Sequence, residues 1–237
     1  MTEYAVSPAG ESFAIARDHR VDRVFLTHHH EDHSGNGALI HKTLGAEFFG
    51  HGLTREKLKN PYKILPYQHY VWGKTTPVGV NPLPESMETL LGRMIPIHTP
   101  GHSRDHLVYF LPEKGVVFSG DLYLGDRIRY FRSDEDMGTQ IASLKKVLAL
   151  DFDILLCSHN PRESRGREHI QFKLDFLENF YGNTIELWKK GVSENEIFKS
   201  LGLKEDYFIK YFCCGNVSLI NGGSSAVRHY EAGRKQN

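Results

Sequence analysis

The most informative segment of this sequence reads Thr27-His28-His29-His30-Glu31-Asp32-His33-Ser34-Gly35. It follows Val24-Phe25-Leu26, an apolar run that predicts a short buried strand ending where the polar residues begin. The histidines and the aspartate have the spacing H-x-H-x-D-H, which can direct alternate side chains toward two neighbouring metal ions. Neutral imidazole and carboxylate groups are suitable ligands for zinc, iron and manganese. A solvated loop or an expression tag is the alternative interpretation, but a tag would lie at a terminus.

The composition is that of an ordinary globular chain without an electrostatic bias. Its 237 residues carry 29 Lys+Arg and 29 Asp+Glu, which argues against nucleic acid or an acidic membrane as a partner. No apolar run approaches the roughly 18 residues of a membrane helix, and no apolar signal region precedes the histidines. Three cysteines without a framework spacing (Cys157, Cys213 and Cys214) indicate a reducing compartment. The sequence therefore predicts a cytoplasmic protein.

Three later segments place further metal-ligating residue types close to predicted strands. They are Thr99-Pro100-Gly101-His102-Ser103, Phe118-Ser119-Gly120-Asp121 and Leu156-Cys157-Ser158-His159-Asn160. Together with the histidine-rich segment, their order resembles that of the metallo-β-lactamase-fold hydrolases, in particular the glyoxalase II-like branch. The resemblance implies an α/β fold, the metallo-β-lactamase-like αββα sandwich, with two central sheets between outer helices.

The resemblance also implies a ligand set for two divalent metal ions, zinc first, with iron or manganese as alternatives. The set comprises His28, His30 and His102 for the first ion, Asp32, His33 and His159 for the second, and Asp121 as the bridging ligand. The two carboxylates of this set, Asp32 and Asp121, are the predicted catalytic residues. In such a site a metal-bound hydroxide attacks a carbonyl carbon while one metal polarises the carbonyl oxygen. A purely structural zinc site is the alternative, but it would lack open coordination positions.

We predict that three residues in the segment that follows Asp121 contact the substrate. Arg127 and Arg129 could present guanidinium groups to a carboxylate or phosphate, and the resemblance to lactonases adds Tyr123. This would suit a small anionic substrate such as a glutathione or coenzyme A thioester. An edge strand with its charges in water is the alternative interpretation.

Strand and helix patterns alternate through the first part of the chain and become helical in the last part. We predict strands over 46–50, 93–98, 107–111, 116–118 and 153–157, helices over 12–17 (with Ser12 at its N-cap), 37–44 and 140–150, and an irregular insertion over 54–86. The predicted domains are 1–166, which binds metal, and 167–237, a helical C-terminal appendage. Only 27 residues precede His28, so the sandwich could lack N-terminal strands. An exposed sheet edge would then allow homo-oligomers.

The predicted function is a binuclear metal-dependent hydrolase of esters, thioesters or lactones, with thioesters ranked first. Asp121 stands where the better-known β-lactamases have a cysteine, which disfavours lactam hydrolysis. The short interval from Asp121 to His159 leaves no room for the inserted domain of the nuclease branch. Two alternatives remain, a mononuclear iron oxidoreductase of the persulfide dioxygenase type and a metal-binding chain that is inactive because its N-terminus is shortened.

Overall fold

The computed structural model of the protein describes residues 21–60 and 62–235. The helix predicted over residues 12–17, with Ser12 at its N-cap, lies outside the described residues. The strands of the described part are β1 (Arg23–Phe25), β2 (Glu47–Gly50), β3 (Val80–Pro82), β4 (Met87–Thr89), β5 (Gly92–His98), β6 (Leu107–Leu111), β7 (Val116–Phe118), β8 (Phe131–Arg132), β9 (Ile154–Leu156) and β10 (Val217–Ser218).

The α-helices of the described part alternate with these strands and then dominate the C-terminal region. They are α1 (Glu31–Ser34), α2 (Gly37–Leu44), α3 (Gly52–Leu58), α4 (Pro66–Trp72), α5 (Met137–Leu148), α6 (Gly166–Lys189), α7 (Glu194–Ser200), α8 (Tyr207–Phe212) and α9 (Ile220–Arg234). Two short 3₁₀ turns cover Pro112–Lys114 and Gly120–Leu122.

The described strands form two sheets and one separate pair. The first sheet is parallel, with the order β1-β2-β3. The second has the order β4-β5-β6-β7-β9 and is antiparallel except for the parallel pairing of β7 with β9. The short strands β8 and β10 pair antiparallel and connect the segment after Asp121 to the C-terminal region.

Successive side chains of β6 point to opposite faces of the second sheet, and both faces are covered by other elements. Leu107, Tyr109 and Leu111 face the first sheet and pack with Phe25 of β1, whereas Val108 and Phe110 face the helices of the opposite layer. Because both faces are buried, the strand is a continuous apolar run.

Helices cover the outer face of each sheet, which completes four layers. On the first sheet, Ile40 of α2 and Leu58 of α3 pack against Phe48. On the second sheet, Leu144 of α5 and Leu177 of α6 pack in the same cluster as the strand residues of β6 and β7. This α-β-β-α order confirms the predicted fold class, including the helical C-terminal region.

The irregular insertion predicted over 54–86 is wrong, because this segment contains most of α3, all of α4 and β3. Two of its prolines, Pro66 and Pro82, occupy positions that regular elements tolerate. Pro66 is the first residue of α4, where a helix has no use for a backbone N–H donor. Pro82 is the last residue of β3, which lies at the edge of its sheet.

The other predicted elements lie within a few residues of the observed ones. The helix over 37–44 matches α2, which ends at Gly45 in the left-handed conformation, with a φ of 71°. The apolar positions of α6 include Ile170 and Leu174, both of which are buried as their spacing predicts. The boundary between residues 166 and 167 stays a prediction. No helix among residues 21–60 and 62–235 combines the length and apolar character needed to cross a bilayer.

Candidate metal centre

Four loops that follow strands of the two sheets meet at one edge of the sandwich. One follows β1, the next connects β5 to β6, and the others follow β7 and β9. Leu107 donates a backbone hydrogen bond to the carbonyl of Thr27, which ties the two sheets together beside the histidines. The turn that carries Asp121 requires Gly120, whose φ is 46° and whose added Cβ would lie 2.8 Å from the Cβ of Thr27.

The first group of donor atoms consists of three buried imidazoles from two of these loops. Nδ1 of His30 lies 2.9 Å from Nε2 of His28 and 3.0 Å from Nε2 of His102. Burial, together with the charges of neighbouring imidazoles, holds the pKa values of His28 and His30 well below the usual range. These two rings are therefore neutral and present nitrogen lone pairs to one point.

The second group lies beside the first and contains two carboxylates and two imidazoles. Nε2 of His33 is 3.2 Å from Oδ1 of Asp121 and 3.5 Å from Oδ2 of Asp32. Nε2 of His159 is 3.3 Å and 3.7 Å from the same two oxygens. Unlike the buried first group, this group reaches the surface, where the His159 side chain is 41% exposed.

Asp121 belongs to both groups, because its second oxygen lies 3.3 Å from Nε2 of His102. Burial alone would raise the pKa of this carboxyl, but the imidazoles of His33, His159 and His102 hold it well below its usual range. Asp121 is therefore an ionised carboxylate that presents one oxygen to each group.

The donor atoms of each group fit a metal ion. Within each group, one ligand atom from every residue lies within 4.8 Å of the others. In the first group, a proton on Nδ1 of His30 could serve only one of its two neighbouring nitrogens, whereas a cation would accept all three lone pairs. Nitrogen and carboxylate donors are those that zinc, iron and manganese bind.

Two acidic residues that the sequence analysis did not single out support the histidines. Glu135 accepts a hydrogen bond from Nδ1 of His102 at 3.0 Å, which leaves Nε2 of that ring available as a ligand atom. Asp105 accepts hydrogen bonds from the backbone and ring of His29 and from the hydroxyl of Thr54. Sequence spacing gives a weak signal for Asp105, three residues after His102, and none for Glu135.

His106 supports the loop that carries Asp121. Its Nε2 accepts the backbone N–H of Asp121 at 3.1 Å, so the ring proton lies on Nδ1, 2.9 Å from the hydroxyl of Thr99. Burial lowers the pKa of His106 to about 3, so the ring is neutral. It fixes the loop that carries Asp121.

His29 and Glu31, which alternate with the ligand candidates in the histidine-rich segment, contact residues outside both donor groups. His29 contacts Asp105, and the carboxylate of Glu31 accepts a hydrogen bond from the side-chain amide of Gln68 at 2.9 Å. The hydroxyl oxygen of Thr27 lies 3.1 Å from Nδ1 of His28.

The predicted substrate residues lie outside both donor groups. Tyr123 is fully buried, and its hydroxyl donates to Asp126 at 2.7 Å. Burial and this hydrogen bond raise the pKa of Tyr123 to about 12. Arg127 and Arg129 are exposed. The role of all three residues in substrate binding stays a prediction.

The family of this chain follows from a match to the model of the metallo-beta-lactamase superfamily over residues 16–159. The chain belongs to this superfamily. The matched region contains every residue of the two donor groups, from His28 to His159.

Curated relatives resemble the chain over part of its length. A hydroxyacylglutathione hydrolase from Bartonella henselae is 28% identical over 170 residues, which cover 68% of this chain and 60% of the relative. The hydroxyacylglutathione hydrolase GloC from Haemophilus influenzae is 28% identical, covering 69% of this chain and 82% of the relative. A beta-lactamase-like protein 2 homolog from Drosophila melanogaster is 34% identical, covering 54% of this chain but 41% of the relative. The chain thus spans 41% of the Drosophila relative and 60% of the Bartonella relative, which is only part of their length.

Solved structures share the fold. A metallo-beta-lactamase family protein from Thermus thermophilus, TTHA1429, superposes with a TM-score of 0.65 and 20% identity over 90% of this chain and 76% of its own. The protein TTHA1623 in a di-iron-bound form gives a TM-score of 0.54 and 28% identity over 68% of this chain and 84% of its own.

Proposed function

We propose that this protein is a binuclear metal-dependent hydrolase that cleaves an ester or thioester bond. The observation that carries the proposal is the position of Asp121, whose two oxygens face two adjacent groups of donor atoms. A shared carboxylate of this kind holds two cations close together in two-metal hydrolases. In this proposal His28, His30 and His102 hold the first ion, and Asp32, His33 and His159 hold the second.

When bound, the metal pair would supply a hydroxide nucleophile near neutral pH and polarise the substrate carbonyl. The chain's own residues prepare the site for this chemistry. Burial keeps the rings of His28 and His30 neutral, and the surrounding imidazoles keep Asp121 ionised. The partial exposure of His159 provides access for a substrate from the side of the second group.

Thioesters are the first substrate class of this proposal, and lactones are the second. The names of the hydroxyacylglutathione hydrolases support a thioester, although they describe those relatives. Zinc is proposed as the metal, with iron as the main alternative because TTHA1623 is described in a di-iron-bound form. A cytoplasmic location and self-association stay predictions.

The test is metal content per chain, measured by mass spectrometry on protein purified without chelator, together with thioester and lactone hydrolysis. We expect two metals per chain and a loss of hydrolysis on chelation, with recovery when the metal is restored. Asp121→Asn removes the charge of the bridging carboxylate and should lower both metal content and hydrolysis. Asp151→Asn is the matched control, because Asp151 is exposed and outside both donor groups.

Three results would contradict the proposal. One iron per chain without hydrolysis would favour an oxidoreductase with a single iron. A folded chain with two metals and no activity on either substrate class would show that the metal centre serves another reaction. A folded chain that binds no metal would exclude the proposed chemistry.

A further inference from the structure

The short helix α8 exposes its aromatic side chains to solvent. Tyr207, Phe208, Tyr211 and Phe212 are 59%, 76%, 75% and 42% exposed, and no residue of this helix is buried. A helix of this length gains little stability from its own hydrogen bonds and normally depends on burying an apolar face. The exposed aromatic side chains of α8 therefore indicate a surface that binds an apolar ligand or partner.

The exposed rings of α8 continue onto α4. The ring centroids of Phe208 and Phe212 lie 6.2 Å apart, and Phe212 lies 6.4 Å from Tyr70, which is 84% exposed. Tyr207 and Tyr211 stack alongside, with centroids 6.2 Å apart. We call these five residues the aromatic patch. Its rings are close enough to act as one binding surface.

The inner edge of the aromatic patch is joined to the candidate metal centre. Phe212 lies 6.1 Å from the ring of Tyr67, which is buried and belongs to α4. The next residue, Gln68, donates to Glu31, which stands between His30 and Asp32 in the chain. The patch thus adjoins α4, the helix whose buried Gln68 contacts the loop that carries the candidate metal ligands.

The opposite side of the patch is held by the segment that follows Asp121. Tyr130 donates to Asp206 at 2.9 Å, and the Asp206 carboxylate caps the first turn of α8. β8 pairs with β10, and the side chain of Asn216, just before β10, donates to the hydroxyl of Tyr67 at 2.8 Å. Other elements thus hold both sides of the patch, α4 on one side and the paired β8 and β10 on the other.

We propose that the aromatic patch binds the apolar part of the substrate, so that the preferred ester or thioester carries a long alkyl or aromatic acyl group. This inference rests on the proposed hydrolase function and names its substrate class. Apolar side chains lining a site favour ligands with matching apolar area. The one charged side chain within α8, Lys210, gives the patch little means of holding a small polar substrate. The attachment of the patch to α4, which also contacts the loop of the candidate metal ligands, favours a substrate over a second protein chain, because the acyl group of a substrate must lie near the reacting carbonyl.

The first experiment compares kcat/KM for 4-nitrophenyl acetate and 4-nitrophenyl decanoate, and for the acetyl and decanoyl thioesters of one thiol. The patch variant is the double substitution Phe208→Ser and Tyr211→Ser, which removes two of its most exposed rings. Wild type should prefer the decanoyl substrates, and the patch variant should lower the decanoyl-to-acetyl ratio by about tenfold. Leu90→Ser is the control, because Leu90 is fully exposed in the β4–β5 turn and lies outside the patch; it should keep the wild-type ratio.

The second measurement is the binding of decanoate to metal-free protein by titration calorimetry, which does not depend on hydrolysis. Wild type and Leu90→Ser should bind decanoate, and the patch variant should bind it at least about tenfold more weakly. Circular dichroism of each variant establishes that it is folded.

The outcomes separate the two proposals. If no substrate is hydrolysed but decanoate binding depends on the patch, the proposed hydrolase function is wrong and the proposed apolar binding site is supported. If hydrolysis is observed and the decanoyl-to-acetyl ratio of kcat/KM is the same in wild type and patch variant, the patch inference is wrong and the proposed hydrolase function is supported. If the patch variant converts a dimer into a monomer during sedimentation while that ratio is unchanged, the patch is a contact between copies and the inference is wrong.

Discussion

The carboxylate of Glu135 is buried beside the first group of histidines and contacts two side chains. It accepts a hydrogen bond from Nδ1 of His102 at 3.0 Å and another from the side-chain amide of Gln140 at 2.6 Å. Carboxylates in this position hold a ligand ring in one tautomer and increase its basicity. Burial lowers the pKa of His102, but Glu135 and Asp121 more than offset this effect and raise it.

We expect Glu135→Gln to lower the affinity of the first group for zinc by about 10- to 100-fold, because the amide supports the ring of His102 less strongly than the carboxylate does. Competition with a chromophoric chelator measures this affinity. Glu163→Gln, at an exposed acidic residue, is the control and should match wild type. Unchanged zinc affinity in a folded Glu135→Gln variant would show that Glu135 does not act through His102.

At the scale of elements, α6 connects the C-terminal region to the turn that carries Asp121. Lys173 of this helix is 1% exposed, and its ammonium group donates to the backbone carbonyl of Leu122 at 2.6 Å. Burial lowers the pKa of Lys173 from 10.5 to about 8, despite the opposing charges of Glu135 and Asp121. The charged form is therefore less favourable in the folded protein than in the unfolded chain.

This shift predicts how stability depends on pH. Between about pH 8 and 10.5 the unfolded chain binds more protons at Lys173 than the folded protein, so the free energy of unfolding should rise with pH. The contribution of this one residue is about 3 kcal/mol across the window. Urea unfolding of wild type and Lys173→Met in the same metal state should show this rise in wild type only. If the free energy of unfolding depends on pH in the same way in wild type and Lys173→Met, Lys173 has an ordinary pKa in the folded protein.

At the scale of the whole molecule, the C-terminal helices share a core with the second sheet. Leu177 of α6 and Ala226 of α9 belong to the same hydrophobic cluster as Val117 of β7. The pairing of β8 with β10 adds a second connection between the two parts of the chain. A shared core of this kind predicts that the two parts unfold together.

Leu177→Ala should therefore lower the stability of the whole molecule by about 2 to 5 kcal/mol, because it opens a cavity in this shared core. Calorimetry should show one transition that moves to lower temperature. Leu39→Ala, at a residue that is 47% exposed, is the control and should have a small effect. Two transitions, of which Leu177→Ala moves only one, would indicate that the C-terminal helices unfold independently and would favour a domain boundary near residue 166.

Local motifs were enough to predict the family and the residues of the two donor groups, because metal ligands of this superfamily occupy short motifs with fixed local spacing. The sequence also predicted most strands and helices, since buried strands such as β6 and the amphipathic α6 have strong local patterns. It failed for residues 54–86, where the prolines indicated a loop, because Pro66 occupies the start of a helix and Pro82 the end of an edge strand.

The distant residues that surround the donor groups could not be predicted from local motifs and are identified by the folded structure. Glu135 and Lys173 come from segments that carry no recognisable motif. Folding of the whole chain brings Glu135 to His102 and Lys173 to the turn that carries Asp121. Tyr123, which the resemblance to lactonases suggested as a substrate residue, is buried and donates a hydrogen bond to Asp126, and its role in substrate binding stays a prediction. The physical reason is that a motif records local spacing along a strand end, whereas hydrogen bonding, burial and charge depend on residues brought together from across the sequence.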